Sequence, residues 1–395
     1  MKTTEVIEKT SRFVLKTYGR KPLAFEKGEG VTLFDLEGNP YIDFTSGLGV
    51  NALGYGHPKV AELIRTHADG VLHTSNLYHI PSQAVLAEKI CSTCFGERVF
   101  FCNSGTEAGE AALKIARKWG KTFETPKTDF IAFRNSFHGR TMGALSATMQ
   151  EKYQKSFRPL VPGFVEAVYN DIDSVKAAAT AATVAVIIEP LQGEGGVTLA
   201  DPAFMKALGA FCREKDILLI VDEVQCGMAR TGKLHAHTHF DIVPDIMTLA
   251  KPLAGGLPIG AAVVGERAWP VMEPGDHAST FGGGHFVTGV ACGVFDILSD
   301  PAFVGAVAEK GRYLRAGLEK LASKHPAIKE LRGTGLLQGA VVDFNASDAV
   351  QFCEKEGILL CVAGPNVVRF IPPLVVEKDH IDRALDAFGR FLTGR

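Results

Sequence analysis

The sequence predicts an α/β protein, a large lobe built on a mainly parallel sheet joined to a smaller α+β lobe. Three observations lead there. Between about residues 85 and 265, short apolar runs alternate with helical patterns, as expected for strands joined by crossover helices. Residues 31–44, VTLFDLEGNPYIDF, alternate apolar and polar positions around a Glu37-Gly38-Asn39-Pro40 turn and predict a β-hairpin. After residue 300 the pattern restarts with a long amphipathic stretch, short apolar runs and a terminal helical segment. The 395 residues exceed one ordinary core and fall short of three full domains. The expected division is 1–60, an N-terminal segment with the hairpin that packs with the small lobe; 61–295, the large lobe; and 296–395, the small lobe.

The large-lobe strands are expected at FIAF (130–133), VAVIIE (184–189), ILLIVDEV (217–224) and IMTLA (246–250). A connecting helix carries its own punctuation, with Asp201 as N-cap, Pro202 in the first turn, and Phe204, Leu208, Phe211 and Cys212 along one face. In the small lobe, Phe303, Val307, Tyr313 and Leu321 mark a long helix, strands fall near 335–344 and 367–371, and a final helix begins at 378. No repeat or low-complexity linker separates the lobes, so they are expected to pack tightly.

Composition excludes several classes of function. A formal net charge of −2, with acids and bases interleaved, offers no basic stripe to nucleic acid or to an anionic membrane. No uninterrupted apolar run reaches the roughly 18 residues that a membrane-spanning helix requires. The start, MKTTEVIEKTSRF, has neither a secretory nor a transit pattern, and a cytoplasmic protein is expected. The eight cysteines are scattered, which predicts reduced thiols. Cys91 and Cys94 form a lone CxxC without a second pair at zinc spacing, and read as a helical core pair. His235, His237 and His239 alternate in a stretch that reads as a loop, with no acidic or cysteine partner close by; solvated side chains are expected, and no metal site.

In open α/β sheets ligands sit beyond the carboxyl ends of the strands, so polar residues that end apolar runs are the ones to inspect. Asp222 ends ILLIV and Lys251 ends IMTLA. On neighbouring strands they would form an ordinary ion pair, or a site in which the amine forms an imine with an aldehyde cofactor while the acid keeps a pyridine nitrogen protonated. The segment FFCNSGTEAGEAALKIARK is an apolar run, a Ser104-Gly105-Thr106 turn, and a helix with Ala108, Ala111, Ala112, Ile115 and Trp119 on one face. Ser104 and Glu107 have capping-box spacing, and the exposed amides of such a helix start form an anion site. In NSFHGRTMGALS, Phe137 is suited to covering a flat ring and Arg140 to gripping a carboxylate. Each feature singly has a plain structural reading; their recurrence at successive strand ends favours a common site. A rival P-loop reading starts from LLIVDE and the Gly227–Lys233 spacing, and fails at Leu234, where a Ser or Thr would hold magnesium.

Through FFCNSGTEAGEAALKIAR, FHGRTMGALS, VIIEPLQGEGG, LLIVDEVQCGMARTGKL, PDIMTLAKPLAGGLPIGA, STFGG and VRFIPPL, nearly the whole chain resembles the class III aminotransferases of the fold-type I pyridoxal-phosphate superfamily. The resemblance implies pyridoxal 5'-phosphate as cofactor, with Lys251 as its Schiff-base lysine, Asp222 as the pyridinium partner and Gln225 beside the phenolic oxygen. Glu223 and Val224 lie in the same cofactor-binding segment, Gly105 and Thr106 would bind phosphate, and Phe137 would stack on the ring. Thr280 resembles a threonine that reaches the phosphate from the neighbouring subunit of a homodimer, with Ser279 near the substrate. Arg140 matches an arginine for the substrate α-carboxylate, and Glu194 and Arg369 match a pair that admits either substrate. The whole-chain likeness implies transfer of the side-chain amino group of N2-acetyl-L-ornithine to 2-oxoglutarate, as in arginine biosynthesis, with ornithine, succinylornithine or 4-aminobutyrate as alternative donors. One departure follows STFGG, where Gly284-His285-Phe286-Val287 replaces the family's Asn-Pro type turn; His285 is expected to face the surface.

Overall fold

The computed structural model describes residues 1–395. Its main sheet has seven strands in the order Arg98–Cys102, Gly260–Val264, Ile246–Leu249, Leu218–Asp222, Thr183–Ile188, Asp129–Phe133 and Phe164–Ala167. Gly260–Val264 alone runs against its neighbours. The central strands Thr183–Ile188 and Leu218–Asp222 are buried along their whole length, which is why they read as unbroken apolar runs. Alternate residues feed separate cores: Val186, Ile188 and Val221 join one, while Ala185, Ile187 and Ile220 pack with Trp119 in another.

The hairpin pairs Thr32–Asp35 with Pro40–Asp43. Phe25–Glu29 adds a further strand that its mostly polar, exposed sequence FEKGE does not announce. On the other side Ile358–Leu359 joins Pro40–Asp43 in parallel, so the N-terminal segment shares a sheet with the C-terminal region. A second four-stranded sheet orders Ile328–Thr334, Leu337–Val342, Val367–Phe370 and Cys361–Val362. Arg230, fully buried, ties the segment after Leu218–Asp222 to this region: its Nη1 donates to the carbonyls of Leu336, at 3.1 Å, and Pro372. Desolvation lowers that guanidinium to about 9.

Asp201 caps the helix Pro202–Glu214 by accepting from the Ala203 and Phe204 amides. The buried face holds Met205 with Phe204, Leu208 and Cys212, and Phe211 is only half-buried. Along Pro301–Lys324 the buried residues are Val307, Gly311, Leu314 and Leu318; Phe303, Tyr313 and Leu321 flank that stripe. No single helix is long and apolar enough to cross a membrane.

Three local expectations are corrected. Cys91 closes the helix Pro81–Cys91 and Cys94 lies in the turn beyond it, both half-buried and unpaired, so they are no helical core pair. His235 and His237 are buried: Glu223, from the turn after Leu218–Asp222, supplies an acid to His237, and His235 Nε2 lies 3.0 Å from Thr93 Oγ1. The Glu223 carboxylate accepts from the Ala236 and His237 amides and lies 2.7 Å from His237 Nδ1. Burial drives His235 down to about 4. Finally, His285 is half-buried at the first residue of the helix His285–Ser299, with its Nε2 2.9 Å from Thr74 Oγ1.

Candidate active site

Beyond the carboxyl ends of the parallel strands lies a cavity of about 420 Å³, a size ordinary for small-molecule sites. Asp222 is the last residue of its strand and stands opposite Thr248 on the next, and Lys251 lies two residues past the end of that neighbouring strand. Acid and amine therefore line the same cavity. Asp222 is buried and anchored at both oxygens: Oδ1 accepts from the Val224 amide at 3.0 Å, and Oδ2 lies 2.8 Å from His138 Nδ1. Facing a carboxylate, which only accepts, the imidazole carries its proton on Nδ1. Its Nε2 is buried without a partner.

Desolvation lowers the Lys251 amine below its ordinary 10.5, Arg369 adds to the effect, and the Glu194 carboxylate opposes it. A depressed amine holds more free base and is the better nucleophile. Glu189, which the sequence reading passed over as a site residue, lines the cavity one position past Thr183–Ile188, on the strand next to Asp222. Burial, then the Asp222 charge, raises its carboxyl well above the usual range, against one hydrogen bond from the Phe137 amide at 3.0 Å.

At the cavity's other end begins the helix Gly105–Gly120, which buries Ala108, Ala111, Ala112, Ile115 and Trp119 as expected. Ser104 Oγ accepts from the Glu107 amide at 3.3 Å, and Glu107 accepts from the Asn103 amide at 2.5 Å, one residue earlier than a capping box requires. A Cβ on Gly105 would stand 2.7 Å from Val224 Cγ1, so only glycine lets the helix start approach the turn after Asp222. Thr106 lines the cavity while its Oγ1 accepts from the Arg140 amide at 3.1 Å. The Arg140 guanidinium rests 3.9 Å from the Tyr153 ring centroid and 5.4 Å from that of Phe137.

Arg369 is buried behind the cavity wall made by Glu194 and Gln225. Its Nη1 donates to Glu194 Oε1 at 2.6 Å, to the Gly193 carbonyl at 3.0 Å and to Gln225 Oε1 at 3.4 Å. Burial disfavours charge on Glu194, and the Arg369 charge and hydrogen bond outweigh it, holding the carboxyl below its ordinary value. Besides Arg369, three further residues named from the sequence do not line this cavity. Glu223 turns its carboxylate to the Ala236–His237 amides. Ser279 and Thr280 lie outside it, Thr280 exposed and Ser279 Oγ accepting from Asn103 Nδ2 at 3.2 Å.

Such a site suits an aldehyde cofactor that carries a phosphate: an amine to hold it, an anchored acid for a ring nitrogen, an aromatic side chain, and a helix start for the anion. Comparison with known proteins agrees. The model of the family described as Aminotransferase class-III matches residues 14–392. The acetylornithine aminotransferase of Methanocaldococcus jannaschii is 43% identical over 98% of each chain, and that of Gloeobacter violaceus 47% identical over 94% of each. Among solved structures, the ornithine aminotransferase of Toxoplasma gondii superposes with a TM-score of 0.95 at 33% identity, covering 100% of this chain and 97% of that one. The N-acetylornithine aminotransferase of Stenotrophomonas maltophilia gives 0.84 at 32% identity, covering 98% and 100%. The chain belongs to the class III aminotransferases. It is accordingly a transaminase that depends on pyridoxal 5'-phosphate, and the residues around the cavity fit that group.

Proposed function

We propose that the chain moves the side-chain amino group of N2-acetyl-L-ornithine to 2-oxoglutarate, giving N-acetylglutamate 5-semialdehyde and glutamate. The observation that carries this reading is the Glu194–Arg369 pair behind the cavity, with Arg140 as a second cation on its wall. Two carboxylate sites are available, and one is masked. Pyridoxal phosphate, when bound, accepts the amino group from the donor and passes it to the oxo acid. Lys251 Nζ would hold the cofactor and would serve as the base for the proton on the reacting substrate carbon. Asp222, fixed by His138 and the Val224 amide, would present an acceptor to the ring nitrogen.

The donor offers a reactive amine at one end and an α-carboxylate beside an acylated nitrogen at the other. Arg140 takes that carboxylate, and Glu194 keeps Arg369 neutralised, because an unpaired buried guanidinium is costly. For 2-oxoglutarate the carboxylate next to the ketone requires Arg369 freed from Glu194, while the distal carboxylate takes Arg140. The names of the relatives support the acetylated donor. Ornithine is the second reading, favoured by the 0.95 superposition on an ornithine aminotransferase. A panel of acetylornithine, ornithine, succinylornithine and 4-aminobutyrate against 2-oxoglutarate, with both products identified, decides between them. In single-turnover kinetics Arg369→Ala should slow the oxo-acid half-reaction by on the order of tenfold or more and largely spare the donor half-reaction. Equal losses in both would end the two-carboxylate reading.

The same proposal includes a homodimer in which Thr280 serves the neighbouring subunit's site, and a cytoplasmic setting in keeping with eight unpaired cysteines.

A further inference from the structure

Cys361 sits in the short strand Cys361–Val362, directly opposite Arg369 on Val367–Phe370. Residues opposite one another in an antiparallel pair project to the same face, so thiol and guanidinium meet by register. Arg369 Nε donates to Cys361 Sγ at 3.3 Å, and the sulfur lies 4.0 Å from the Arg369 carbonyl oxygen.

A guanidinium can take a carboxylate in a fork along its Nε side or at its Nη1/Nη2 end. The sulfur occupies the Nε side. Glu194, Gly193 and Gln225 all engage Nη1 at the other end. We propose that Cys361 is a positioning residue: by holding the Nε edge it fixes Arg369 so that an incoming carboxylate inherits the end that Glu194 vacates, without rotation of the arginine. The proposal rests on the reading that Arg369 binds the oxo acid's carboxylate. Burial raises the thiol above its ordinary value, so sulfur engages Nε as a neutral acceptor that does not compete with the substrate for the charge.

The test compares Cys361→Ala, Cys361→Ser and Arg369→Lys holoenzymes. Glutarate, an unreactive dicarboxylate, is titrated calorimetrically, and each half-reaction is followed in single turnover. Cys361→Ala should weaken glutarate binding and raise the KM for 2-oxoglutarate about fivefold, the worth of one such hydrogen bond, with little change in kcat or in the donor half-reaction. Cys361→Ser, which keeps an acceptor, should recover most of the loss. Unchanged glutarate affinity in Cys361→Ala, or equal damage to both half-reactions without recovery in Cys361→Ser, overturns the positioning role. Arg369→Lys separates the two ideas. If it leaves the 2-oxoglutarate half-reaction intact, the underlying reading of Arg369 fails; if it cripples that step while Cys361→Ala is silent, only the role of Cys361 falls.

Discussion

Two carboxylates at adjacent strand ends are held differently. Asp222 is anchored by an imidazole and a backbone amide, whereas Glu189 has a single amide and faces the Asp222 charge. Two neighbouring acids in a desolvated site do not both ionise cheaply, so the less supported one keeps its proton. Glu189 thus binds a proton in the folded state that the unfolded chain releases above its ordinary 4.5. Its contribution to stability is fully present below 4.5 and is lost as pH rises through the raised value. Glu189→Gln keeps an acceptor for the Phe137 amide and cannot ionise. In urea unfolding of the cofactor-free protein, the wild type should lose more stability than the variant as pH rises from about 5 to 8. Parallel pH profiles would show that Glu189 ionises normally. The sequence held the signal for this residue, since Glu189 ends VAVIIE as Asp222 ends ILLIV. His138 was less legible: it lies beside the conspicuous Phe137, and its partner is far along the chain.

At the scale of elements, the start of the helix Gly105–Gly120 is set by its approach to the turn after Asp222. Gly→Ala at a compatible site stabilises by about 0.4–1 kcal/mol through the unfolded chain. Here the added Cβ would meet Val224 Cγ1 at 2.7 Å and Cγ2 at 3.0 Å, and a β-branched neighbour has little rotamer freedom with which to yield. Gly105→Ala should therefore destabilise by about 1–3 kcal/mol, and Val224→Ala should relieve part of that in a double-mutant cycle. A neutral or more stable Gly105→Ala, measured by urea unfolding, would show that the turn yields freely. Buried strands and long helices were legible because burial on both faces writes an unbroken apolar run, and burial along one stripe writes a helical period. The strands Phe25–Glu29 and Ile328–Thr334 were not, because exposed edges carry charges that mask alternation. Buried His237 is partnered by Glu223 and buried His235 by Thr93, each from a different segment, pairings no local pattern records.

For the whole molecule, the unassigned surface beside the site matters most. Leu77, Tyr78 and Phe281 are 84%, 69% and 67% exposed, more than isolated surface apolar groups require when they lie together. They do lie together: Asn76 Nδ2 donates to the carbonyls of Ser279 and Gly282, and the His73 and Phe281 rings are 5.4 Å apart. Thr280, next to Phe281, is exposed and does not line its own chain's cavity. A second copy that covers the patch by a two-fold axis would bury the apolar residues and offer each Thr280 to the partner, completing two composite sites. Lys251→Ala and Thr280→Val should each cripple turnover, and neither subunit carries both defects. Mixed under conditions that allow exchange, they form hybrids in which one site draws its lysine from one chain and its threonine from the other. Random reassortment restores about a quarter of the sites. Recovered turnover of that order, with a dimer mass in sedimentation, is the expected result. A fully active monomer, or mixing without any recovery despite demonstrated exchange, would mean that each chain completes its own site and that the apolar patch serves another purpose.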